Sequence, residues 1–174
     1  MKATESAPVR LARRTLEHYL SDGRLPAQLP EAEAPTLVGR RAGVFVSLKK
    51  GGALRGCIGT FLPTEPDLAH EIIANAIQAA TGDPRFYPVQ REELDTPAIS
   101  VDVLSAPEPV AEASALDPKR YGVIMTSGQR RSLLLPDLPG VDTVAAQLAI
   151  LRQKANIPPD AAVTLMRFTV TRYE

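Results

Sequence analysis

The chain of 174 residues is predicted to adopt an α+β fold, with helices flanking a largely antiparallel or mixed sheet. One observation is that strand-like segments come mostly in hairpins: in 43–61, "GVFVSL" and "ALRGCIGTF" flank "KKGG". The other is that three segments with helical periodicity (8–20, 64–81 and 142–155) separate the strands. Hairpins join antiparallel neighbours, so this order favours α+β.

The first helix is predicted for residues 8–20 from its apolar spacing and its end signals. Ser6 is a candidate N-cap, Pro8 suits the first turn, and Gly23 suits the C-terminal stop. Residues 24–37 follow with three prolines and no period. We therefore expect a Pro-rich loop at 24–37, inside the domain.

The second helix, at 64–81, has the most regular apolar stripe of the chain. Thr64 is its candidate cap, and Asp67, three residues later, completes a capping-box pattern. The third helix is predicted for 142–155, beginning at Asp142 or Thr143.

The remaining strands are predicted from alternation and turn signals. Residues 98–105 alternate apolar and polar side chains, and 121–136 form a second hairpin around Ser127 and Gly128. The closing segment, "AVTLMRFTVTRY" at 162–173, is predicted to be a strand, because apolar and polar residues alternate from Met166 to Thr171.

Composition excludes several classes of function. Twenty basic and twenty acidic residues give zero net charge, and aromatic residues are 5% of the chain, which argues against nucleic-acid binding. A single cysteine excludes an internal disulfide and fits a reducing compartment. The apolar runs are shorter than a membrane-spanning helix requires, and the N-terminal residues lack the apolar stretch of a signal peptide. The predicted location is cytoplasmic.

That cysteine, Cys57, lies in "LRGCIGTF" at 54–61 and has two interpretations. In a strand, Arg55 would share its face and favour a nucleophilic thiolate, while Gly56 and Gly59 would let a ligand approach the main chain. Glycines inside a strand usually mark a bulge or a close backbone approach, and we expect one of these here. In the other interpretation Cys57 is a small buried hydrophobe, which is where free cysteines are most often found. Spacing alone favours the structural interpretation.

A catalytic cysteine needs a base, and the chain has only His18 and His70. His18 lies among charged neighbours in the first helix, and His70 lies off the apolar stripe of the second. Neither spacing requires a Cys–His dyad. A second cysteine and the His spacings typical of metal ligands are absent, so we predict no metal site and no cofactor.

The second candidate site is "GDPRFYP" at 82–88, in the loop after the long helix. Asp83 and Arg85 flank a proline, and the guanidinium of Arg85 suits a carboxylate or phosphate group. The alternative is a helix stop followed by a proline turn, with Phe86 anchoring it to the core. Both interpretations remain open from the residues alone.

Together these segments resemble the AMMECR domain family, whose prokaryotic members are called AmmeMemoRadiSam system protein A. The resemblance runs from about Leu11 to the C-terminus. It rests on the collinear strings "LRGCIGTF", "DPRFYP", "EEL", "SVDVLS", "LLP", "KA" and "TRYE". The chain departs from the family pattern at Tyr87, where a proline is expected, and at Val141, where a tryptophan is usual.

The resemblance implies one α+β domain over 1–174, with two lobes around a groove. It implies a functional, exposed segment that comprises Arg55, Gly56, Cys57, Ile58 and Gly59. It supplies no agreed reaction. It implies genetic company with a Memo-like protein and a radical SAM enzyme, which we take as expected partners.

Two functional hypotheses follow. In the first, the chain is a module that binds a small ligand or a partner through "LRGCIG", with Asp83 and Arg85 contributing. In the second it is an enzyme: Cys57 is a thiolate nucleophile with a lowered pKa, while Arg55 and backbone amides stabilise an anionic substrate. Nucleic-acid and membrane partners are not expected.

Overall fold

Helices and strands form two units, each built around its own sheet, in the computed structural model, which describes residues 5–25, 34–95 and 97–174. The first unit comprises 1–104 and 171–174, and the second comprises 105–170. The pairings of strand Val44–Lys50 with its two neighbours in the first sheet, and the pairings within the second sheet, are antiparallel. This confirms the α+β prediction, although two sheets are present where the sequence led us to expect one.

The first unit contains a four-stranded sheet in the order β2-β1-β3-β8. Its strands are β1 (Val44–Lys50), β2 (Ala53–Thr60), β3 (Ala98–Leu104) and β8 (Val170–Tyr173). The predicted hairpin turn is present: Gly51 and Gly52 have φ values of 58° and 82°. Two consecutive positive φ values match the tight turns that join twisted antiparallel strands, and they favour glycine.

Two helices, α1 (Ala7–Asp22) and α3 (Leu68–Thr81), pack on each other and against this sheet. They cover one face of the sheet. Alternate side chains of β1 point to that face and are fully buried by the helices, namely Val44, Val46 and Leu48. The helix α1 ends as predicted at Gly23, which adopts the left-handed conformation at φ 70°.

The start of α3 differs from the prediction. Its N-cap is Asp67, whose carboxylate accepts from the backbone N–H of His70 at 3.0 Å, rather than Thr64. Thr64 is instead hydrogen-bonded to Glu71. The predicted loop at 24–37 also ends differently, because Ala34–Leu37 forms one helical turn, α2. Residues 26–33 of that prediction lie outside the described residues.

The second unit has a sheet in the order β4-β7-β5-β6, and α4 packs against β5 and β6. Its elements are β4 (Glu108–Val110), β5 (Gly122–Ser127), β6 (Arg130–Leu134), α4 (Val144–Lys154) and β7 (Thr164–Phe168). The side chain of Thr143, one of the two predicted caps, accepts from the N–H of Ala146 at 3.1 Å. Short 3-10 turns lie at Arg91–Glu93 in the first unit and at Ala113–Ala115 in the second.

The closing segment forms two strands where one was predicted. Thr169 interrupts it, so that β7 joins the second sheet and β8 joins the first. The N–H of Thr169 donates to the Ser105 hydroxyl at 2.8 Å, and its C=O accepts from the Ser105 N–H at 2.9 Å. Thr169 therefore bonds to a residue outside both sheets, which alternation cannot reveal.

Among the described residues, none of the helices has the length and apolar character needed to cross a membrane.

Candidate functional site

The strand β2, which carries "LRGCIG", lies at the edge of the first sheet, and among the described residues it pairs with β1 alone. The pairing register jumps from Leu48–Gly56 to Lys49–Leu54, which leaves Arg55 as the additional residue of a β-bulge. A bulge bends the strand locally and redirects the side chain of the additional residue. Gly56, next to the bulge, is one of the two strand glycines that indicated a bulge or a close backbone approach, whereas the position of the additional residue, Arg55, was not predicted.

Both glycines of the segment are closely approached by the protein itself. A Cβ atom at Gly56 would lie 2.1 Å from the backbone oxygen of Ala79 in α3, and one at Gly59 would lie 2.3 Å from the Phe45 ring. Ile58 packs against the core that α1 and α3 share. The glycines therefore allow a helix and an aromatic ring to approach the strand, and their role in ligand binding stays a prediction.

The main chain of Cys57 is held by two side chains of the 82–88 segment. Its N–H donates to Oδ2 of Asp83 at 2.9 Å, and its C=O accepts from Nη2 of Arg85 at 3.2 Å. Because β2 is an edge strand, these groups would otherwise lack a strand partner. The two sequence candidates, 54–61 and 82–88, thus form one site.

The thiol of Cys57 is half-buried, and the hydroxyl of Ser47 donates to its sulfur at 3.1 Å. Ser47 lies directly opposite Cys57 in the β1–β2 register, so their side chains share a face of the sheet. The free cysteine is therefore neither fully buried nor fully exposed.

Asp83 is the buried centre of the site, with only 2% of its side chain exposed. Arg85 donates to it from Nε at 3.0 Å, from Nη2 at 2.7 Å and from its own backbone N–H at 3.0 Å. The Arg85 guanidinium first, and then the backbone N–H groups of Cys57 and Arg85, hold the pKa of Asp83 well below its usual value, although burial opposes this. The hydrogen bonds to Asp83 in turn raise the pKa of Arg85, although burial opposes this as well.

Arg55 fixes the far end of the 82–88 segment. It donates to Glu93 from Nε at 3.0 Å and from Nη2 at 2.9 Å, and to the carbonyl of Tyr87 from Nη1 at 2.9 Å. Lys50 adds an ion pair to Glu93 at 3.2 Å. The hydrogen bond from Arg55 is the largest cause that lowers the pKa of Glu93 to about 2. Arg55 thus connects the bulge to the loop.

Glu71 of α3 fixes the end of β2. It is 1% exposed and accepts from the hydroxyl of Thr60 at 2.5 Å and from the N–H groups of Thr64 and Glu65, both at 2.8 Å. Burial alone would raise the pKa of Glu71, but these hydrogen bonds outweigh it and lower the pKa. Asn75 extends the network to Thr60.

The loop forms an open concavity of about 610 Å³ on the surface of the first unit. It is lined by Arg55, Pro84, Arg85, Phe86 and Tyr87. Tyr87 is 91% exposed, an unusual degree for a large aromatic residue. The guanidinium of Arg85 lies 5.5 Å from the centre of the Phe86 ring.

The structure does not connect the two histidines to Cys57. His18 is exposed on α1, and His70 is exposed on α3, where its Nδ1 lies 2.7 Å from Oδ1 of Asp67. In the described part of the chain, no hydrogen bond joins either histidine to Cys57. Within the same residues, no group of three or more His, Cys, Asp or Glu side chains could hold a metal ion.

Sequence reasoning missed several members of this site, among them Ser47 and Glu93. Ser47 could have been found by pairing the hairpin strands outward from the "KKGG" turn. Glu93 lies within the "EEL" string, but nothing in its spacing indicates that it binds Arg55 across 38 positions.

These observations define a class of protein: an α+β chain of two units, with a Gly-rich edge strand clamped by an Asp-Pro-Arg loop. The AMMECR1 family matches residues 9–174. The chain therefore belongs to the AMMECR1 family, as the resemblance implied.

Relatives agree with this assignment. A protein of Thermotoga maritima is 55% identical over 168 residues, covering 95% of this chain and 96% of the relative. A protein of Clostridium acetobutylicum is 48% identical over 174 residues; the match covers 99% of this chain but only 37% of that longer protein. The crystal structure of an uncharacterised protein from Pyrococcus horikoshii has a TM-score of 0.86 and 34% identity, covering 99% of this chain and 93% of that one.

Proposed function

We propose that this chain is a binding module for a small ligand or a partner protein, and that the loop Asp83–Pro88, clamped onto β2, is its recognition surface. One observation carries the proposal: Asp83 and Arg85 bond both main-chain groups of Cys57. The "LRGCIG" segment then serves as the support on which the loop is held. Cys57 contributes its backbone and fills space.

Rigidity of the loop supports a role in recognition. Besides the bonds to Cys57, the N–H of Phe86 donates to the Asp83 carbonyl at 3.2 Å, and that of Val89 donates to the Ala80 carbonyl at 2.8 Å. Arg55 holds the Tyr87 carbonyl from the other side. A surface that is already ordered loses little conformational entropy on binding, so exposed anchors such as Tyr87 contribute more to affinity.

We propose that this module acts alongside a Memo-like protein and a radical SAM enzyme in the cytoplasm. The support for these partners is family membership together with the genetic company that the resemblance implies. The single cysteine is in keeping with a reducing compartment.

The test measures binding of the purified Memo-like protein and radical SAM enzyme to this chain by calorimetry, using wild type and Tyr87→Ala. Tyr and Arg anchors at interface centres commonly account for much of the binding free energy. We therefore expect Tyr87→Ala to weaken binding of at least one partner by tenfold or more. Leu25→Ala is the matched control, since it removes an apolar side chain that is 58% exposed elsewhere in the first unit. Equal affinities for wild type and Tyr87→Ala would refute the proposed surface.

A second candidate function is favoured by one contact, the hydroxyl of Ser47 donating to the sulfur of Cys57 at 3.1 Å. A hydrogen bond to a sulfur stabilises the thiolate, so the half-buried Cys57 could act as the nucleophile of an enzyme. In this alternative Arg85 would hold the anionic group, because each guanidinium nitrogen of Arg55 already donates to Glu93 or Tyr87.

The rate of alkylation by iodoacetamide, followed from pH 5 to 10, separates the two candidates. The enzyme hypothesis predicts rapid labelling of Cys57 well below pH 8 and a strong decrease in Ser47→Ala. The binding hypothesis predicts slow labelling below pH 8 and little effect of Ser47→Ala.

A further inference from the structure

The recognition surface of the proposed module has an asymmetric charge. The carboxylate of Asp83 is 2% exposed, whereas the side chain of Arg85, bonded to it at 2.7 Å, is 55% exposed. The acid therefore lies behind the base, and the part of the pair that faces solvent is the guanidinium. None of the five residues that line the concavity is acidic.

Arg85 has unused hydrogen-bonding capacity in a fixed direction. Its Nε and Nη2 donate to Asp83, and Nη2 also donates to the Cys57 carbonyl. Its Nη1 donates to no group among the described residues, although a guanidinium carries two N–H bonds at that atom. Because the guanidinium is planar and Asp83 holds two of its nitrogens, the direction of Nη1 is fixed as well.

The surroundings of Arg85 favour a peptide over a free anion. Asp83 neutralises much of the charge of Arg85, so a bare anion would gain little, and additional contacts have to come from Pro84, Phe86 and Tyr87. Small-molecule sites usually enclose most of the ligand surface. This concavity is open, with Tyr87 91% exposed at its side, and exposed Tyr beside Arg is typical of protein interfaces.

We infer that the concavity binds an acidic peptide segment of a partner protein. A Glu or Asp carboxylate accepts from Nη1 of Arg85, and an adjacent proline or aromatic residue packs on Tyr87 and Phe86. This inference rests on the proposed function, because it takes the 83–88 loop as the recognition surface.

The test is an NMR titration of the full chain with two peptides that differ at one position: Ac-Gly-Pro-Glu-Phe-Gly-NH2 and its glutamine counterpart. The readouts are the Nε–H signal of Arg85 and the backbone amide of Tyr87. We expect both signals to shift, with a dissociation constant about threefold lower for the glutamate peptide, because Arg85 is partly exposed and already paired with Asp83. Arg85→Gln removes this preference. Arg14→Gln, which removes an exposed arginine of α1, leaves it unchanged.

Several results would overturn the inference. They are equal affinity for the two peptides, shifts confined to other parts of the chain, or the absence of shifts with either peptide. Succinate and inorganic phosphate are titrated in parallel, and affinity equal to that of the glutamate peptide would make the concavity a small-anion site instead. The peptide comparison uses wild-type protein, so it holds even where Arg85→Gln fails to fold.

The proposed function is tested separately, by the partner-binding measurement on Tyr87→Ala. Loss of partner binding in Tyr87→Ala, together with failure of the peptide titration, would overturn the acidic segment and leave the recognition surface in place. Partner binding that is unchanged in Tyr87→Ala would refute the surface itself, whatever the peptides do.

Discussion

The backbone N–H of Cys57 donates to the buried carboxylate of Asp83 at 2.9 Å, across 26 positions of the chain. Asp83 in turn orients Arg85, which bonds to the carbonyl of the same cysteine. The most specific string of the sequence is thus joined to the "DPRFYP" loop through its main chain. The side chain of Cys57 takes part in neither bond.

Replacing Asp83 by asparagine should destabilise the first unit. The substituted amide would keep the shape of the side chain but remove its negative charge, leaving the Arg85 guanidinium without its counter-ion and weakening the bond from Cys57. Hydrogen bonds to charged groups contribute roughly 1.5–3 kcal/mol each, and Arg85 is half exposed, so we expect a loss of about 2 kcal/mol. Urea denaturation followed by circular dichroism measures it. Asp95→Asn, at an exposed position of the same unit, should change stability by less than about 0.5 kcal/mol.

Replacing Gly56 by alanine should be more damaging than its size suggests. The added Cβ would lie 2.1 Å from the backbone oxygen of Ala79, and α3 cannot retreat without disturbing the core. Overpacking of this kind typically costs about 1–3 kcal/mol. Gly51→Ala is the comparison, since its Cβ meets open space and only the positive φ of 58° opposes it, at about 1 kcal/mol. Thermal denaturation in which Gly56→Ala proved as stable as wild type would contradict the packing described at β2.

Stability of the first unit should fall in acid. The pKa values of Asp83, Glu71 and Glu93 are all lowered in the folded chain, that of Glu93 from 4.5 to about 2. A carboxyl group whose pKa is lowered by folding stabilises the fold fully at pH values above its pKa in the unfolded chain. That contribution is lost as the pH falls toward its pKa in the folded chain. We therefore expect the free energy of unfolding to be steady from pH 7 to about 5 and to decrease between about pH 4.5 and 2.

The Asp83→Asn variant tests the origin of this pH dependence. Without a titrating group at position 83, its free energy of unfolding should decline less steeply with falling pH than that of wild type. Equal slopes in urea denaturation series at pH 3 to 7 would show that Asp83 is not one of the groups responsible.

Local patterns predicted most of the fold. The turn at Gly51–Gly52 and the end of α1 at Gly23 follow from the ability of glycine to adopt positive φ. The helices α1, α3 and α4 follow from the spacing of apolar residues. The break at Thr169 could not be predicted, because it depends on bonds to Ser105, 64 positions away. The short strand β4 lacks any alternation long enough to detect.

The candidate site was predicted as separate segments but not as an arrangement. Composition and the family resemblance indicated 54–61 and 82–88, and the structure brings them together. The glycines at 56 and 59 indicated a bulge or a close backbone approach, but not that Arg55 is the additional residue, because a pairing register depends on the partner strand. Arg55, expected to hold an anionic group, is bonded to Glu93, and the 38 positions between them hide this contact from the sequence pattern.

The central claim is that β2 supports a recognition loop through its main chain and that the thiol of Cys57 is not required. The most direct measurement is the dissociation constant of the two proposed partners, the Memo-like protein and the radical SAM enzyme, for wild type and Cys57→Ser. Serine keeps the backbone bonds to Asp83 and Arg85 and can still pair with Ser47. We predict dissociation constants within about threefold of the wild-type values, which corresponds to a change of less than about 1 kcal/mol in binding free energy. Loss of all binding by a folded Cys57→Ser variant would contradict the claim.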